Sequence, residues 1–185
     1  MWIPLILMAC TEPEEVYVFA DLEEVEFQTT AGTFVVEVDA GLAPETQYNF
    51  LVYVEDGFYD GSDGGGPTIF HRVVADFVVQ GGGELSSGTR KPTREKVINE
   101  SDNGALNVRG SVAMARSNNP DSAKAQFFVN LLNNTQLDAT SGANGYTVFG
   151  GVIEGMEVID TIAAMEVDEL DRPLEDVVVE SAQIR

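Results

Sequence analysis

The sequence has few of the residues that build disulfides and metal sites. Its 185 residues include one cysteine, Cys10, and one histidine, His71. A disulfide joins two cysteines, and a structural zinc site draws its ligands chiefly from cysteine and histidine. An internal disulfide is therefore excluded, and no zinc site is expected. The chain also lacks an apolar run of about 18 residues, so no helix that crosses a bilayer is predicted.

Basic residues are scarce as well. The chain has 10 Lys and Arg residues against 31 Asp and Glu residues, for a formal net charge of −21. Nucleic acids and anionic membrane surfaces attract cationic proteins, so binding to either through charge is not expected. Solubility or adaptation to salt accounts for this acidity, and recruitment of basic client proteins is the alternative. Apolar residues make up 44% of the sequence, which suits one globular domain with a sizeable core.

The first ten residues, MWIPLILMAC, are apolar and end with a small residue before Cys10. This pattern resembles the end of a bacterial lipoprotein signal peptide, in which the cysteine is lipidated. The segment lacks basic residues and its apolar part is short, which a start codon further upstream would explain. We expect a protein of the bacterial cell envelope, lipid-anchored at Cys10 on the periplasmic or surface side; the alternative is an uncleaved N-terminus with an incidental cysteine. Residues 11–21 are acidic and are predicted to form a tether, followed by a globular domain at 22–185.

Alternating and apolar runs predict a mainly β domain. The segments 22–29 and 33–39 flank Thr30-Ala31-Gly32 and predict a hairpin. Pro44 falls in the first turn of a predicted helix that ends at Gly57. Further predicted elements are strands at 110–115, 126–131, 146–152 and 177–184, a helix at 155–165, a flexible Gly-rich turn at 60–67 and a long irregular connection at 84–104.

One stretch carries polar residues that core packing does not explain. It is FHRVVADFVVQGGG, residues 70–83, and its apolar runs predict one buried strand. Arg72 and Gln80 stand within it. A half-buried arginine needs a carbonyl or carboxylate partner, because its guanidinium does not lose its charge. Arg72 is therefore either paired within the protein or directed at a ligand.

Four motifs in the order of the chain resemble the cyclophilin-type peptidyl-prolyl cis-trans isomerases. They are FHRVVADFVVQGGG (70–83), GSVAMAR (110–116), AQFFVN (125–130) and YTVFGGV (146–152). The resemblance covers about residues 22–185. It is closer to bacterial members, since Arg116 and Tyr146 stand where eukaryotic members often have asparagine and histidine. It implies a closed eight-stranded antiparallel β-barrel capped by two α-helices, with the substrate groove on the outer face of the barrel.

The resemblance also implies an enzyme that accelerates rotation about Xaa-Pro bonds in folding proteins, without a cofactor or a metal. Rotation must overcome the partial double bond of the amide, a barrier of roughly 18–20 kcal/mol. A donor that reaches the amide nitrogen only in the twisted state lowers this barrier, because the nitrogen lone pair is then no longer delocalised. The implied partners are proline-containing segments of client proteins, bound by a monomer. Nucleic acid is not an implied partner.

The resemblance gives roles to individual residues. Arg72, Phe77 and Gln80 are the expected catalytic residues, and Met114, Ala115, Gln126, Phe128, Leu137 and Tyr146 are the expected substrate-binding residues. Arg72 is the expected donor, held by the glutamines, and the apolar residues form the expected proline pocket. Each apolar residue taken alone would also fit an ordinary core position. His71 is expected to be structural, and Gln136 stands where many members have tryptophan.

Two other functions stay open at this point. The domain could be a proline-peptide-binding chaperone or tethering module with little turnover, or a structural lipoprotein that reuses the fold. A module that only binds has no need of the arginine donor. The presence of Arg72 among the other expected site residues therefore favours the enzyme.

Overall fold

A computed structural model of the protein describes residues 17–185. The predicted signal segment, Cys10 and residues 11–16 of the predicted tether lie outside the described residues. The rest of that tether contacts the domain: the Tyr17 hydroxyl donates to Asp56 at 3.2 Å, and the Phe19 ring packs edge-on against Tyr48. No helix within residues 17–185 has the length and apolar character needed to cross a membrane.

The strands of the described chain form one antiparallel sheet that curves into a nearly closed barrel, as predicted. They are β1 (Leu22–Thr29), β2 (Gly32–Asp39), β3 (Ile69–Phe70), β4 (Arg72–Val74), β5 (Val78–Gly81), β6 (Ser111–Met114), β7 (Phe127–Asn130), β8 (Val148–Glu154) and β9 (Val177–Ile184). Their order in the sheet is β3-β9-β1-β2-β8-β6-β7-β5-β4. The hairpin of β1 and β2 and the last strand match the sequence prediction.

The two edges of the sheet meet at His71. The two strands at the ends of the sheet order, β3 and β4, are consecutive in the chain, and only this residue separates them. The chain itself therefore joins the two edges of the sheet. Counting β3 and β4 as one bent strand gives the eight strands expected from the sequence.

The stretch 70–83 is not one strand, and that prediction is wrong. The chain reverses after Val74, whose carbonyl accepts a hydrogen bond from the Phe77 N–H at 3.0 Å. Asp76 occupies the left-handed region at φ 57°, which aspartate tolerates better than a branched apolar residue does. The reversal pairs β4 with β5 and sets Arg72 directly opposite Gln80.

Two α-helices accompany the barrel, as predicted: α1 (Pro44–Glu55) and α2 (Met156–Ala163). The first N–H groups of a helix have no partner within the helix. In α1 the Glu100 carboxylate accepts hydrogen bonds from the backbone N–H groups of Glu45 and Thr46, at 3.2 and 2.8 Å. The long connection between β5 and β6, which has no helix or strand between 84 and 104, thereby fastens to the start of α1.

Aromatic rings fill the barrel interior. The Phe27 ring lies 5.2–6.2 Å, between centroids, from the rings of Phe34, Phe50, Tyr59 and Phe127. Side chains of a strand alternate between its two faces. In β7 this alternation directs Phe127 and Val129 into the interior and leaves Phe128 on the outer face.

The Gly-rich turn at 60–67 is tied to the body of the protein by Lys91. The Lys91 ammonium donates to the carbonyls of Phe58 and Gly66 at 2.6 and 2.8 Å and pairs with the Asp63 carboxylate at 2.9 Å. Its side chain is 2% exposed. A buried ammonium needs partners for its three donors; the turn supplies two of them, and Phe58, just before the turn, supplies the third.

Candidate active site

A second apolar cluster lies on the outer wall of the barrel. Four neighbouring strands each contribute one buried residue: Val148 from β8, Ala113 from β6, Phe128 from β7 and Val78 from β5. The residues that follow them in the chain, Val79, Met114, Val129 and Phe149, belong to the barrel core. The alternation of side chains along these strands thus gives the wall two apolar faces.

Two residues of this outer cluster, Val78 and Phe128, line a pocket of about 190 Å³. Arg72 stands at one side, and the apolar lining comes from Phe77, Val78, Phe128, Leu137 and Tyr146. The Phe128 and Tyr146 rings meet edge to face, with centroids 5.6 Å apart. The predicted pocket residues Phe77, Phe128, Leu137 and Tyr146 are therefore brought together, and Val78 joins them although the sequence reading did not select it.

Three polar side chains form a hydrogen-bonded row beside the pocket. The Arg72 guanidinium donates through Nη1 to Gln80 Oε1 at 3.4 Å, and Gln80 Nε2 donates to Gln126 Oε1 at 2.9 Å. This row fixes the orientation of both amides. Gln126 Nε2 has no acceptor among residues 17–185, so it is available to donate to a bound chain.

Arg72 also faces a carboxylate that the sequence reading missed. Arg72 Nε lies 3.8 Å from Asp171 Oδ2, and the two side chains are 39% and 47% exposed. An exposed pair at this distance holds an arginine only weakly. Asp171 belongs to the loop between α2 and β9, and its carbonyl accepts a hydrogen bond from the Val73 N–H at 2.7 Å. Gln80 and Asp171 thus lie on two sides of the guanidinium, and part of it faces the solvent.

Met114 does not lie in the pocket, contrary to the prediction. Its side chain is 1% exposed and belongs to the barrel core. Along β6, Val112 and Met114 point inward, which leaves Ala113 and Ala115 for the outer face. Ala115 lines the pocket as predicted, and its N–H already donates to the Gln126 carbonyl at 3.0 Å. Only the Ala115 carbonyl is left for an extended substrate.

Buried asparagines support the pocket from below, and the sequence reading did not identify them. Asn134 Nδ2 donates to the Phe77 carbonyl at 2.9 Å and to Asn130 Oδ1 at 2.8 Å. Asn107 donates to the Asp138 carboxylate through its backbone N–H and its side chain, at 2.7 and 3.0 Å. These bonds fix the turn that carries Leu137, because Asn134 and Asp138 flank it.

Arg116 holds the far side of the pocket. Its guanidinium carbon lies 4.3 Å from the centroid of the Tyr146 ring. Nε, Nη1 and Nη2 donate to the carbonyls of Gly145, Ser117 and Asn144 at 3.0–3.2 Å. A cation over a ring face is attracted by the ring quadrupole, so Arg116 and Tyr146 fix each other.

His71 is the one titratable side chain with a buried atom that has no partner among the described residues. Its Nδ1 is enclosed without a hydrogen bond. Burial lowers the pKa of His71 below its ordinary value of 6.5; Glu84 and the Ile69 backbone oppose this shift, and Arg90 and Arg172 add to it. The folded protein therefore favours the neutral imidazole.

A pH dependence of stability follows. Because the pKa of His71 is lowered on folding, the unfolded chain binds more protons as the pH falls below about 6.5, and the free energy of unfolding decreases. We expect the asparagine variant His71→Asn to lose less stability than the parent between about pH 7.5 and 5.5. Urea unfolding at several pH values measures this, and the carboxylates shared by the two proteins cancel in the comparison. Parallel curves would contradict the prediction.

The fold and the groove indicate a protein that binds peptide segments. The site has a preformed apolar pocket on the barrel wall, the Arg72 guanidinium at its edge and the Gln126 amide donor beside it. Within residues 17–185 no group of three His, Cys, Asp or Glu side chains is placed to hold a metal ion. Such a groove is suited to a short extended peptide segment with one small apolar ring.

Comparisons with known proteins identify the family. The sequence matches the family model described as cyclophilin type peptidyl-prolyl cis-trans isomerase/CLD over residues 24–184. A peptidyl-prolyl cis-trans isomerase of Streptomyces antibioticus is 45% identical over 170 residues, which cover 88% of this chain and 99% of that protein. Peptidyl-prolyl cis-trans isomerase B of Escherichia coli strain K12 is 41% identical over 167 residues, covering 86% and 98%. The chain belongs to the cyclophilin-type peptidyl-prolyl cis-trans isomerases.

Solved structures agree with the fold. A crystal structure of a cyclophilin type peptidyl-prolyl cis-trans isomerase of Cryptosporidium parvum superposes with a TM-score of 0.73 at 24% identity and covers 89% of this chain and 98% of that one. A crystal structure of the same protein in the presence of the dipeptide Ala-Pro gives a TM-score of 0.72, also at 24% identity, and covers 88% and 98%. The cyclophilin barrel expected from the sequence is therefore confirmed.

Proposed function

We propose that the protein accelerates rotation about Xaa-Pro bonds in folding client proteins, with Arg72 as the hydrogen-bond donor to the twisted amide. One observation carries this proposal: the Arg72 guanidinium stands at the edge of an apolar pocket, oriented by Gln80 and still partly exposed. A guanidinium stays protonated at any physiological pH, so it donates without a proton-transfer step.

The pocket binds the proline ring, and the hydrogen-bonded row of Arg72, Gln80 and Gln126 contacts the backbone of the bound segment. The proline ring enters the pocket over Phe128 and Tyr146, which leaves the amide nitrogen on the side of Arg72. The Gln126 amide donates to a carbonyl of the bound segment and holds the chain on one side of the rotating bond. In the twisted state the nitrogen lone pair accepts a hydrogen bond that the planar amide refuses, so the guanidinium stabilises the transition state more than the ground state.

Exchange catalysis on a short Ala-Pro peptide tests the proposal directly. NMR exchange spectroscopy with the full chain measures the rate of cis-trans interconversion, which without catalysis takes tens to hundreds of seconds. Catalytic amounts of protein are expected to raise this rate until exchange peaks appear between the separate cis and trans signals. Binding of the peptide without faster exchange would contradict the enzyme and leave the alternative, a proline-peptide-binding chaperone or tethering module.

We also propose that the enzyme is a monomer anchored to the bacterial cell envelope through a lipid on Cys10. The support is the apolar segment that ends at this cysteine and the bacterial relatives at 41–45% identity. A single cysteine of this kind anchors a domain that has no membrane-spanning helix. In a bacterial host, Cys10→Ser is expected to move the protein from the membrane fraction to the soluble fraction. The same distribution for parent and variant would contradict lipidation.

A further inference from the structure

A second cavity adjoins the proline pocket and has an unusual charge. It measures about 550 Å³ and shares Gln80, Ala115 and Arg116 with the pocket. Its lining, which we call the basic chamber, includes four of the ten basic residues of the chain and no Asp or Glu: the basic residues are Arg90, Lys91, Arg116 and Lys124. In a chain with 31 acidic residues, a cavity without a carboxylate in its lining stands out.

Two of these four cations are already neutralised. Lys91 is buried against Asp63, as described above, and Arg90 Nε donates to the Glu84 carboxylate at 3.1 Å. The other two have no carboxylate within 4 Å among residues 17–185. Seven of the ten basic residues do have such a partner, and the remaining three are Lys96, Arg116 and Lys124.

Arg116 and Lys124 are suited to an anionic ligand in different ways. Arg116 is held rigidly by three carbonyls and the Tyr146 ring, so little conformational freedom is lost when its remaining donors bind a ligand. Lys124 is exposed, and its ammonium has no hydrogen-bond partner within the described part of the chain. Together they present a fixed and a mobile cation beside the site of the proline ring.

We propose that the basic chamber receives the carboxylate of an Asp or Glu side chain close to the proline, so that the protein prefers acidic client segments. This inference rests on the proposed function, because the chamber becomes a specificity site only when a client segment occupies the groove. A carboxylate there would pair with Arg116 and Lys124, the two cations of the chamber that have no acidic partner among residues 17–185. Charge-assisted hydrogen bonds to arginine and lysine supply the recognition.

The net charge of −21 works against acidic ligands at a distance, but not at contact. At physiological ionic strength charges further apart than about 8 Å are largely screened, whereas Arg116 and Lys124 would meet the carboxylate directly. The local contacts therefore decide the preference. Added salt should weaken it, because the contacting ion pairs are partly exposed.

Matched peptides test the proposal. Each contains one Ala-Pro bond and carries Glu or Gln at one position, moved stepwise along both sides of the proline. With the full chain, we expect one position on one side at which Glu raises kcat/KM, and tightens binding, about three- to tenfold over Gln. The charge reversal Lys124→Glu is expected to invert that ratio. Lys96→Glu is the matched control, because Lys96 is also exposed and unpaired but does not line the chamber, and we expect it to leave the ratio unchanged.

The outcomes separate this inference from the isomerase itself. Catalysis that is equal for Glu and Gln at every position would overturn the proposal that the basic chamber binds a carboxylate, and it would leave the proposed isomerase activity intact. A Glu preference that persists in Lys124→Glu, or that Lys96→Glu removes equally, would also overturn it. A third outcome is that no peptide is turned over but Glu peptides bind more tightly and Lys124→Glu reverses this preference. Carboxylate binding by the basic chamber would then be supported, and the proposed catalysis would be refuted.

Discussion

Replacing Arg72 with alanine is expected to lower kcat/KM on an Ala-Pro peptide roughly a hundredfold while leaving the barrel folded. Removal of one preorganised donor to a transition state typically costs about 10²–10³ in rate. The fold should tolerate the change, because Arg72 is 39% exposed and its contact with Asp171 is 3.8 Å long. NMR exchange spectroscopy gives the rate, and thermal unfolding gives the stability.

Two further variants sharpen this test. Arg72→Lys keeps the charge but loses the planar fork that contacts both Gln80 and Asp171, so an intermediate rate is expected. Arg109→Ala removes an arginine that pairs with Asp160 and lines neither the pocket nor the basic chamber, and it should turn over peptide normally. Parent-like turnover in a folded Arg72→Ala protein would refute the role of the guanidinium.

The adjacent residues Phe127 and Phe128 are expected to respond to alanine in opposite ways. Phe127 is 1% exposed and packs within 6 Å, between ring centroids, of Phe27, Phe50, Tyr59 and Phe70. Phe127→Ala should therefore cost about 3–5 kcal/mol of unfolding free energy. Phe128→Ala removes the floor of the proline pocket and should lower kcat/KM more than tenfold, with a smaller loss of stability because the space opens to the groove.

Urea unfolding and peptide exchange measure the two effects on the same samples. If Phe127→Ala does not fold, the leucine variants of both residues preserve the comparison, since each keeps most of the apolar volume. Phe127→Leu should then be the less stable protein and Phe128→Leu the slower enzyme. Equal losses of stability and of turnover in the two would show that the barrel wall does not separate core from site.

The sequence motifs located most of the site but not its geometry. Arg72, Gln80, Gln126 and Phe128 are all found beside the groove, because the motifs that contain them pair as neighbouring strands. Motif position alone does not tell which face of a strand a residue occupies. That is why Met114 was predicted in the pocket although the alternation of β6 directs it inward.

Other features depended on contacts between distant parts of the chain. Asp171 lies far from Arg72 in the sequence, and no local pattern marks its loop as part of the site. The reversal at Ala75-Asp76 lacks glycine, so the apolar residues around it resemble one strand. The buried asparagines under Leu137 satisfy one another, and a polar network of this kind is visible only once the strands are assembled.

The meeting of the two sheet edges at His71 has a consequence for aggregation. The sheet ends in β3 and β4, which are two and three residues long, and the Asp171 carbonyl occupies the N–H of Val73. Long exposed edges attract further strands and lead to aggregation, whereas edges this short offer almost no template. A protein that meets unfolded chains would otherwise risk adding them permanently to its own sheet. A segment bound as proposed would meet the side-chain face of the wall, and it could leave once its proline bond has turned.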